Sequence, residues 1–273
     1  MVKIVCWNIA HRHAAWQFLL NCDADIALLQ EAGPPPADVA RQIKVGPAPF
    51  LDADGKSLSR AAVVKLSDRV QVEWLKPVPI HEARGGDFVE SQPGSIAAAI
   101  ISAPQGGPEF EPFIAVSICA EYARVHRCIG KNDRILDAPL HRVISDLSLL
   151  IGHVTRHRIV VAGDLTIWHG YGSPSWKRRH DTVFDRMEAL GLPLVGPKHP
   201  HGRQAEPWPT WLPKDSLNVP THYNIGGSPA TATHQLDYVF ASRSMAESVE
   251  VRALNGVDEW GPSDHCRIEI TVT

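Results

Sequence analysis

The feature that most constrains this fold is a series of short apolar runs, each closed by polar or chain-breaking residues. The run Val2–Trp7 ends at Asn8, and the run Ile26–Leu29 ends at Gln30-Glu31. Short apolar runs bounded in this way are typical of buried strands. The pattern recurs along the chain in Ala61–Leu66, Val70–Leu75, Ser95–Ser102, Phe113–Ala120, Arg158–Ala162, Leu236–Ala241, Val249–Leu254 and Cys266–Val272. The sequence therefore predicts a fold with a large sheet content.

Helical periodicity appears between these runs. It predicts helices over Ala14–Leu20, Ala138–His153 and Asp181–Leu190. We expect Ala61–Leu66 and Val70–Leu75 to form a pair of strands, and Ser95–Ser102 and Phe113–Ala120 to form a hairpin with a long loop. The segment Gly196–Thr233 has no steady period, and we expect it to be a loop-rich part of a functional face. No repeat or linker interrupts the alternation of strands and helices, which predicts one α/β domain over residues 1–273.

Composition narrows the class of protein. The net charge is -3 with 21% charged residues, which argues against a broad cationic surface for long nucleic acid. The five cysteines form no CxxC pattern, as expected of reduced thiols. The sequence opens without the basic and apolar regions of a signal peptide, and no stretch approaches the roughly 20 apolar residues of a membrane helix. We expect a cytoplasmic protein that has no membrane partner.

Polar residues capable of catalysis stand at the ends of the predicted strands. Asn8, Glu31 and Asp164 follow such runs, and Asp264-His265 precedes the last one. Asp237 lies inside an apolar run, where a carboxylate needs a partner. Taken singly, each residue fits a turn or a solvated loop. Together they would supply carboxylates and one imidazole, a set suited to magnesium or manganese, while the absence of an HExxH pattern makes zinc less favoured.

Five segments resemble, in order, the motifs of the endonuclease/exonuclease/phosphatase superfamily, which includes deoxyribonuclease I, exonuclease III-like abasic endonucleases, sphingomyelinases and inositol phosphatases. The segments are Lys3–Asn8, Asp25–Glu31, Val160–Thr166, Gln235–Phe240 and Gly261–His265. The resemblance implies a four-layer α/β (α+β) sandwich, in which two mixed β-sheets pack face to face and are flanked by helices.

The resemblance also implies roles for the site residues. Glu31 would be the main Mg²⁺ ligand, with Asn8 and Asp264 helping to hold the metal or its waters. Asp164 would orient or deprotonate the attacking water. His265 would contact the scissile phosphate, and Asp237 would accept its other ring N–H. A histidine paired with a carboxylate has a raised pKa and can stay protonated beside a phosphate, although the family is also described with this histidine as a base.

Two positions depart from the family pattern. The family usually has Asn where this chain has Thr166, whose hydroxyl can donate a hydrogen bond to a phosphate oxygen but has only one polar group. The family also places a His or Tyr at the end of the strand matched by Phe113–Ala120. Tyr122 is the best substitute for it here, with His126 behind it.

A substrate-binding surface is predicted after the Asp164 loop. Trp168 is suited to stacking on a base, and Lys177, Arg178 and Arg179 are suited to phosphate contacts. A second interpretation has equal weight: the three basic residues belong to the solvated start of a helix, and the tryptophans belong to the core.

Three functions stay open on the sequence alone. The first is a nuclease or nucleotide phosphodiesterase with a nucleic-acid or nucleotide substrate, which the Gln235–Phe240 segment favours. The near-neutral charge favours a small or single-stranded substrate over long duplex DNA. The second is a phosphatase or lipid phosphodiesterase on the same scaffold. The third is a catalytically silent binding protein, suggested by Thr166 and opposed by the retained Glu31, Asp164 and His265.

Overall fold

Most of the predicted strands assemble into two six-stranded sheets in a computed structural model, which describes residues 1–46, 50, 60–107, 109–120, 123–124 and 134–273. The first sheet has the spatial order β13 (Val249–Leu254), β14 (Arg267–Val272), β1 (Val2–Asn8), β2 (Ile26–Gln30), β4 (Ala62–Lys65) and β3 (Lys44–Val45). The second has the order β11 (Leu194–Gly196), β12 (Asp237–Ala241), β10 (Ile159–Asp164), β7 (Phe113–Cys119), β6 (Ile96–Ser102) and β5 (Gln71–Trp74). A short separate pair consists of β8 (Ala123–Arg124) and β9 (Arg134–Ile135).

Alternation along each strand divides its side chains between two cores. In β1, Ile4 and Cys6 point into the core between the sheets, whereas Val5 and Trp7 point to the outer face. In β10, Val160 and Ala162 likewise face the other sheet. Because both faces of these central strands are covered, the sequence shows continuous apolar runs there and not a polar alternation.

Helices cover the two outer faces. They are α1 (His13–Leu19), α2 (Ala37–Ala40), α3 (Asp137–Leu149) and α4 (Pro174–Ala189). The apolar side of α1 packs on the first sheet, and those of α3 and α4 pack on the second. The layers are therefore helix, sheet, sheet and helix, which confirms the predicted four-layer sandwich. Within the described ranges, no helix has the length and apolar character needed to cross a membrane.

Two element predictions need correction. The segments predicted as a pair of strands do form β4 and β5, but the two strands belong to different sheets, so they do not pair with each other. Helix α4 begins at Pro174 and not at Asp181, and proline is well suited to the first turn of a helix. The sequence pattern missed this start because the first two turns are mostly polar and show no apolar period. The predicted hairpin of β6 and β7 is confirmed as an antiparallel pair.

Candidate active site

The topology brings the predicted site residues to one edge of the sandwich. Strands β1 and β2 run parallel, and Asn8 pairs with Gln30 at their ends, directly before Glu31. In the other sheet Asp164, the last residue of β10, is the register partner of Asp237, the first residue of β12. Each sheet thus delivers polar side chains to the same end, where rigid strands fix their positions.

Asn8 joins the two halves of this edge. Its buried Nδ2 donates to Glu31 Oε1 over 3.2 Å and to Asp164 Oδ2 over 3.0 Å. Its Oδ1 accepts the backbone N–H of Ala10 over 3.0 Å, which fixes the orientation of the amide. A single neutral side chain therefore holds one carboxylate from each sheet.

His265 lies between two carboxylates in the buried part of the site. Its Nδ1 is 2.8 Å from Asp237 Oδ2, and its Nε2 is 3.7 Å from Asp164 Oδ2. Burial by itself would lower the pKa of His265, but the charges of Asp237 and Asp164 outweigh it and raise the pKa to about 10. Burial also raises the pKa of Asp164, to about 7, against the opposing charge of His265. At neutral pH His265 is therefore an imidazolium.

The donor set fits a divalent cation. Asp164 and Asp237 flank one imidazolium, and Asn8 joins Glu31 to Asp164, so carboxylates outnumber the single cation. Asp237 Oδ1 is buried and accepts no hydrogen bond within the described part of the chain. Ligand atoms of Asp164, Asp237 and His265 lie within 4.8 Å of one another. A protonated histidine offers no lone pair to a metal, however, so the oxygen donors of the group are better suited to a hard ion.

Asp264 is connected to this group through Ser263. The Ser263 hydroxyl donates to the Asn8 carbonyl over 2.7 Å and lies 3.3 Å from Asp264 Oδ1. On the other side of the motif, Trp7 Nε1 donates to the His265 carbonyl over 2.9 Å. The segment that precedes β14 is thus anchored to the end of β1.

Strained backbone is concentrated at the same edge. Among the described residues, four that are not glycine have a positive φ: Ala10 at 45°, His11 at 55°, Glu31 at 47° and Thr166 at 53°. The backbone of His11 donates to the Glu31 carbonyl over 3.0 Å, so three of these residues share one short region. Backbone strain of this kind is often found at functional sites.

Thr166 contacts Asp164 through its backbone. Its N–H donates to Asp164 Oδ1 over 2.7 Å, while its hydroxyl donates to the Ala120 carbonyl over 2.7 Å. The hydroxyl hydrogen expected to serve a phosphate oxygen is thus engaged with the main chain. Tyr122 and His126, the proposed substitutes for the strand-end aromatic group, lie outside the described residues.

The predicted substrate residues separate into two groups. Lys177 forms an ion pair with Asp181, and Arg179 forms a bidentate ion pair with the buried Asp137, with N–O distances of 2.7 and 2.9 Å. Arg178 is exposed on α4. Trp168 belongs instead to a cluster of rings, with its centroid 6.0 Å from that of Tyr171. Two of the three cations are therefore balanced by acids on or next to α4.

Two contacts of the site were not predicted, although His222 itself was expected from loop composition, with Trp208, Trp211 and Tyr223, to line the same face. Gln30 is fully buried, and its Nε2 donates to Ser117 Oγ over 2.9 Å, which links the two sheets below Asn8. The His222 ring lies 4.6 Å from the His265 ring, centroid to centroid. The position of Gln30 at the end of an apolar run was a usable signal, whereas His222 lies in a loop-rich segment that has no period.

The fold matches solved structures, although no protein-family model matches the chain and no curated protein matches its sequence. The endonuclease domain of TRAS1, a telomere-specific non-LTR retrotransposon, is 17% identical over 100% of this chain and 98% of that chain, with a TM-score of 0.65. An AP endonuclease from Leishmania major is 15% identical over 99% and 87%, with a TM-score of 0.61. A mannosyl-6-phosphatase from Bacteroides thetaiotaomicron is 16% identical over 100% of both chains, with a TM-score of 0.55. The expected endonuclease/exonuclease/phosphatase fold is thereby confirmed.

Proposed function

We propose that this protein is a metal-dependent phosphodiester hydrolase, acting as a nuclease or nucleotide phosphodiesterase from one domain over residues 1–273. The observation that carries the proposal is the buried group of His265, Asp237 and Asp164, joined to Glu31 by the Asn8 amide. Two of the structures that share the fold are named as endonucleases, which supports this reaction class. The cytoplasmic location expected from the sequence stays a prediction.

In this proposal Glu31, Asn8 and Asp264 hold Mg²⁺, or Mn²⁺ in its place. The bound ion would neutralise charge on the phosphate oxygens and on the leaving oxygen. The contact between Asn8 and Glu31 and the link from Asn8 through Ser263 to Asp264 support this grouping. Oxygen donors of this kind suit a hard cation.

Asp164 is the group that receives the proton of the attacking water. Thr166 N–H holds its Oδ1, so Oδ2 is the atom that faces the histidine. A pKa of about 7 lets this carboxyl be ionised and still be basic enough to accept a proton at neutral pH. Water adds to phosphorus as the phosphorus bond to the leaving oxygen breaks, and the proton moves to Asp164 Oδ2.

His265 binds the phosphate in this mechanism. Its Nδ1 hydrogen is held by Asp237, and the 3.7 Å from Nε2 to Asp164 exceeds a hydrogen bond. The Nε2 hydrogen therefore remains available for a phosphate oxygen. Because the charge on the ring is stabilised by two carboxylates, the imidazolium is ready before the substrate arrives, which favours a transition state that is rich in negative charge.

A phosphate monoester is the second candidate substrate. The observation that favours it is the mannosyl-6-phosphatase, which shares the fold over the full length of both chains. A lipid phosphodiester is a further possibility on this scaffold, and a silent binding protein is the non-enzymatic one. These alternatives require the same assay.

The test is a substrate panel with Mg²⁺ and with Mn²⁺. It contains single- and double-stranded DNA, RNA, bis-p-nitrophenyl phosphate, mannose 6-phosphate, an inositol phosphate and sphingomyelin. We expect diesters to be hydrolysed, with a loss of about 100-fold or more in Glu31→Gln and in His265→Gln. Calorimetry should show weakened Mn²⁺ binding only in the Glu31 variant.

Glu250→Gln is the matched control, because Glu250 is exposed on β13. It should retain full activity. Turnover that survives both site substitutions would refute the site assignment, and failure to hydrolyse any substrate with either metal would refute both hydrolase candidates.

A further inference from the structure

Three histidines lie side by side at the margin of the site. His222 forms an antiparallel bridge with His265 on one side and with His234 on the other. Residues paired across such bridges point to the same face, so the three side chains lie on one face, with the His222 ring 4.6 Å from the His265 ring. The row begins at His265, the proposed phosphate-binding group, and leads outward to His234.

The row continues into aromatic rings. His234 stacks with Trp211 at a centroid distance of 5.2 Å and an interplanar angle of 19°, and it lies 5.8 Å from Trp168 at 32°. Tyr171 contacts both tryptophans, at 4.9 Å from Trp211 and 6.0 Å from Trp168. Trp168, Tyr171, Trp211, His222 and His234 are called the ring wall below.

The ring wall is not explained as core packing alone. Tyr171 is buried within it, but Trp211 is 43% exposed and packs against both Tyr171 and His234. Tryptophan combines a large apolar ring with a polar N–H, which suits it to a surface where one side meets a ligand. Trp211 lies in the loop-rich segment between β11 and β12, so it is not part of the buried face of a strand or an α-helix.

The wall is a surface of uncharged planar rings. Burial, with the neighbouring His265 charge, lowers the pKa of His222 to about 4, and burial lowers the pKa of His234 as well. Both rings are therefore neutral at neutral pH. A neutral flat surface is poorly suited to a second phosphate and well suited to a flat ligand ring, because base–aromatic stacking needs no charge and accepts any base.

We propose that the ring wall is a base-stacking subsite, where an unpaired nucleobase lies against Trp211 while the adjoining phosphate is held at His265. This inference rests on the proposed function and narrows its substrate to single-stranded nucleic acid or nucleotide esters. A base inside a duplex has both faces covered by its neighbours, so it cannot use such a surface without leaving the stack.

The test compares thymidine 5′-monophosphate with 2-deoxyribose 5-phosphate, in which a hydroxyl group replaces the base at C1. Dissociation constants are measured by NMR chemical-shift titration with Mg²⁺ present. We expect the nucleotide to bind about tenfold more tightly or better, as stacking of one base allows. Trp211→Ala should remove most of that difference and leave the affinity for the base-free sugar phosphate unchanged. Trp211→Phe should keep the larger part of the preference.

Phe18→Ala is the matched control. Phe18 is also partly exposed, at 36%, but it packs against Trp7 on the outer side of the first sheet. The nucleotide preference should persist in this variant. Equal affinities for the two ligands in the unsubstituted protein, or a preference that Trp211→Ala leaves intact, would overturn the subsite.

The two proposals fail separately. Binding of a mononucleotide does not require turnover, so a base preference that depends on Trp211 in a protein that hydrolyses nothing would support the subsite and refute the hydrolase. Hydrolysis of bis-p-nitrophenyl phosphate that needs Glu31, in a protein without any base preference, would support the hydrolase and refute the subsite.

Discussion

Replacing Asp237 with Asn tests the charge arrangement of the site, because the substitution removes one negative charge beside His265 with little change of shape. Asp237 Oδ2 is 2.8 Å from His265 Nδ1, and Asp164 Oδ2 is 3.7 Å from Nε2. With an effective dielectric constant of about 20, these separations give the imidazolium attractions of about 6 and about 4.5 kcal/mol. Asp237 thus supplies the larger of the two attractions that oppose the desolvation of the ring.

The change in the pKa of His265 follows from this difference. One pKa unit corresponds to about 1.4 kcal/mol. Loss of about 6 kcal/mol therefore moves the pKa of His265 from its starting value of about 10 down to about 6. At pH 8 the ring would change from charged to neutral, and turnover should fall by roughly 100- to 1,000-fold, the range found for loss of one positioned hydrogen-bond donor to the reacting group.

NMR titration of the imidazole Hε1 signal measures this directly in the metal-free protein. The signal is assigned as the one that disappears in His265→Gln. Asp258→Asn is the control. It removes the same charge, but Asp258 is exposed, so solvent screens its effect and the pKa of His265 should stay unchanged. If His265 in Asp237→Asn still titrates above pH 9, Asp237 is not the principal stabiliser of the imidazolium and the reasoning above is wrong.

Two further predictions concern stability. Gly163 pairs with Ile118 between β10 and β7, and a Cβ there would overlap the Ile118 carbonyl oxygen and lie 2.8 Å from its carbonyl carbon. Gly163→Ala should lower the free energy of unfolding by more than about 3 kcal/mol in urea, whereas Gly152→Ala, which meets nothing within 4 Å, should change it little; a wild-type midpoint would contradict the close approach. Burial lowers the pKa of His180, so the folded protein keeps it neutral while the unfolded chain gains a proton below about pH 6.5, and stability falls as pH falls. His180→Phe should flatten this loss, which begins as the pH falls below about 6.5, by up to about 1.4 kcal/mol per pH unit, and an unchanged slope would show that His180 does not contribute.

The parts of the site that sequence predicts best are those set by strand ends. Asn8 and Glu31 terminate parallel neighbours, so their proximity follows from the pattern alone once β1 and β2 are recognised. Asp164 and Asp237 meet because the end of β10 pairs with the start of β12. The apolar runs of β10 and β12 do not by themselves predict that these two strands pair. Only the order of motifs shared with a known fold predicted it.

The parts that sequence did not predict depend on contacts between distant segments. β4 and β5 are close in sequence, but each strand completes a different sheet, and nothing in their apolar patterns distinguishes a hairpin from a crossing between layers. The first turns of α4 are polar, and Arg179 there is held by Asp137 of α3, a tertiary contact that no local period reveals. His222 reaches His265 through a bridge inside a loop-rich segment.

The Asn8 amide connects the proposed metal ligand Glu31 to the proposed base Asp164, which lie in different sequence motifs. One N–H of the amide is donated to Glu31, on the proposed metal side, and the other to Asp164, on the proposed water side. An acid at this position would add another carboxylate to a group in which His265 is the cation, and it would have no hydrogens to donate. A neutral donor is therefore the side chain that can hold two carboxylates from two sheets without further charge repulsion. Both contacts use the same Asn8 amide. A shift of Glu31 on metal binding would therefore move the amide and change its hydrogen bond to Asp164, which couples metal binding to the carboxylate that accepts the proton of the water.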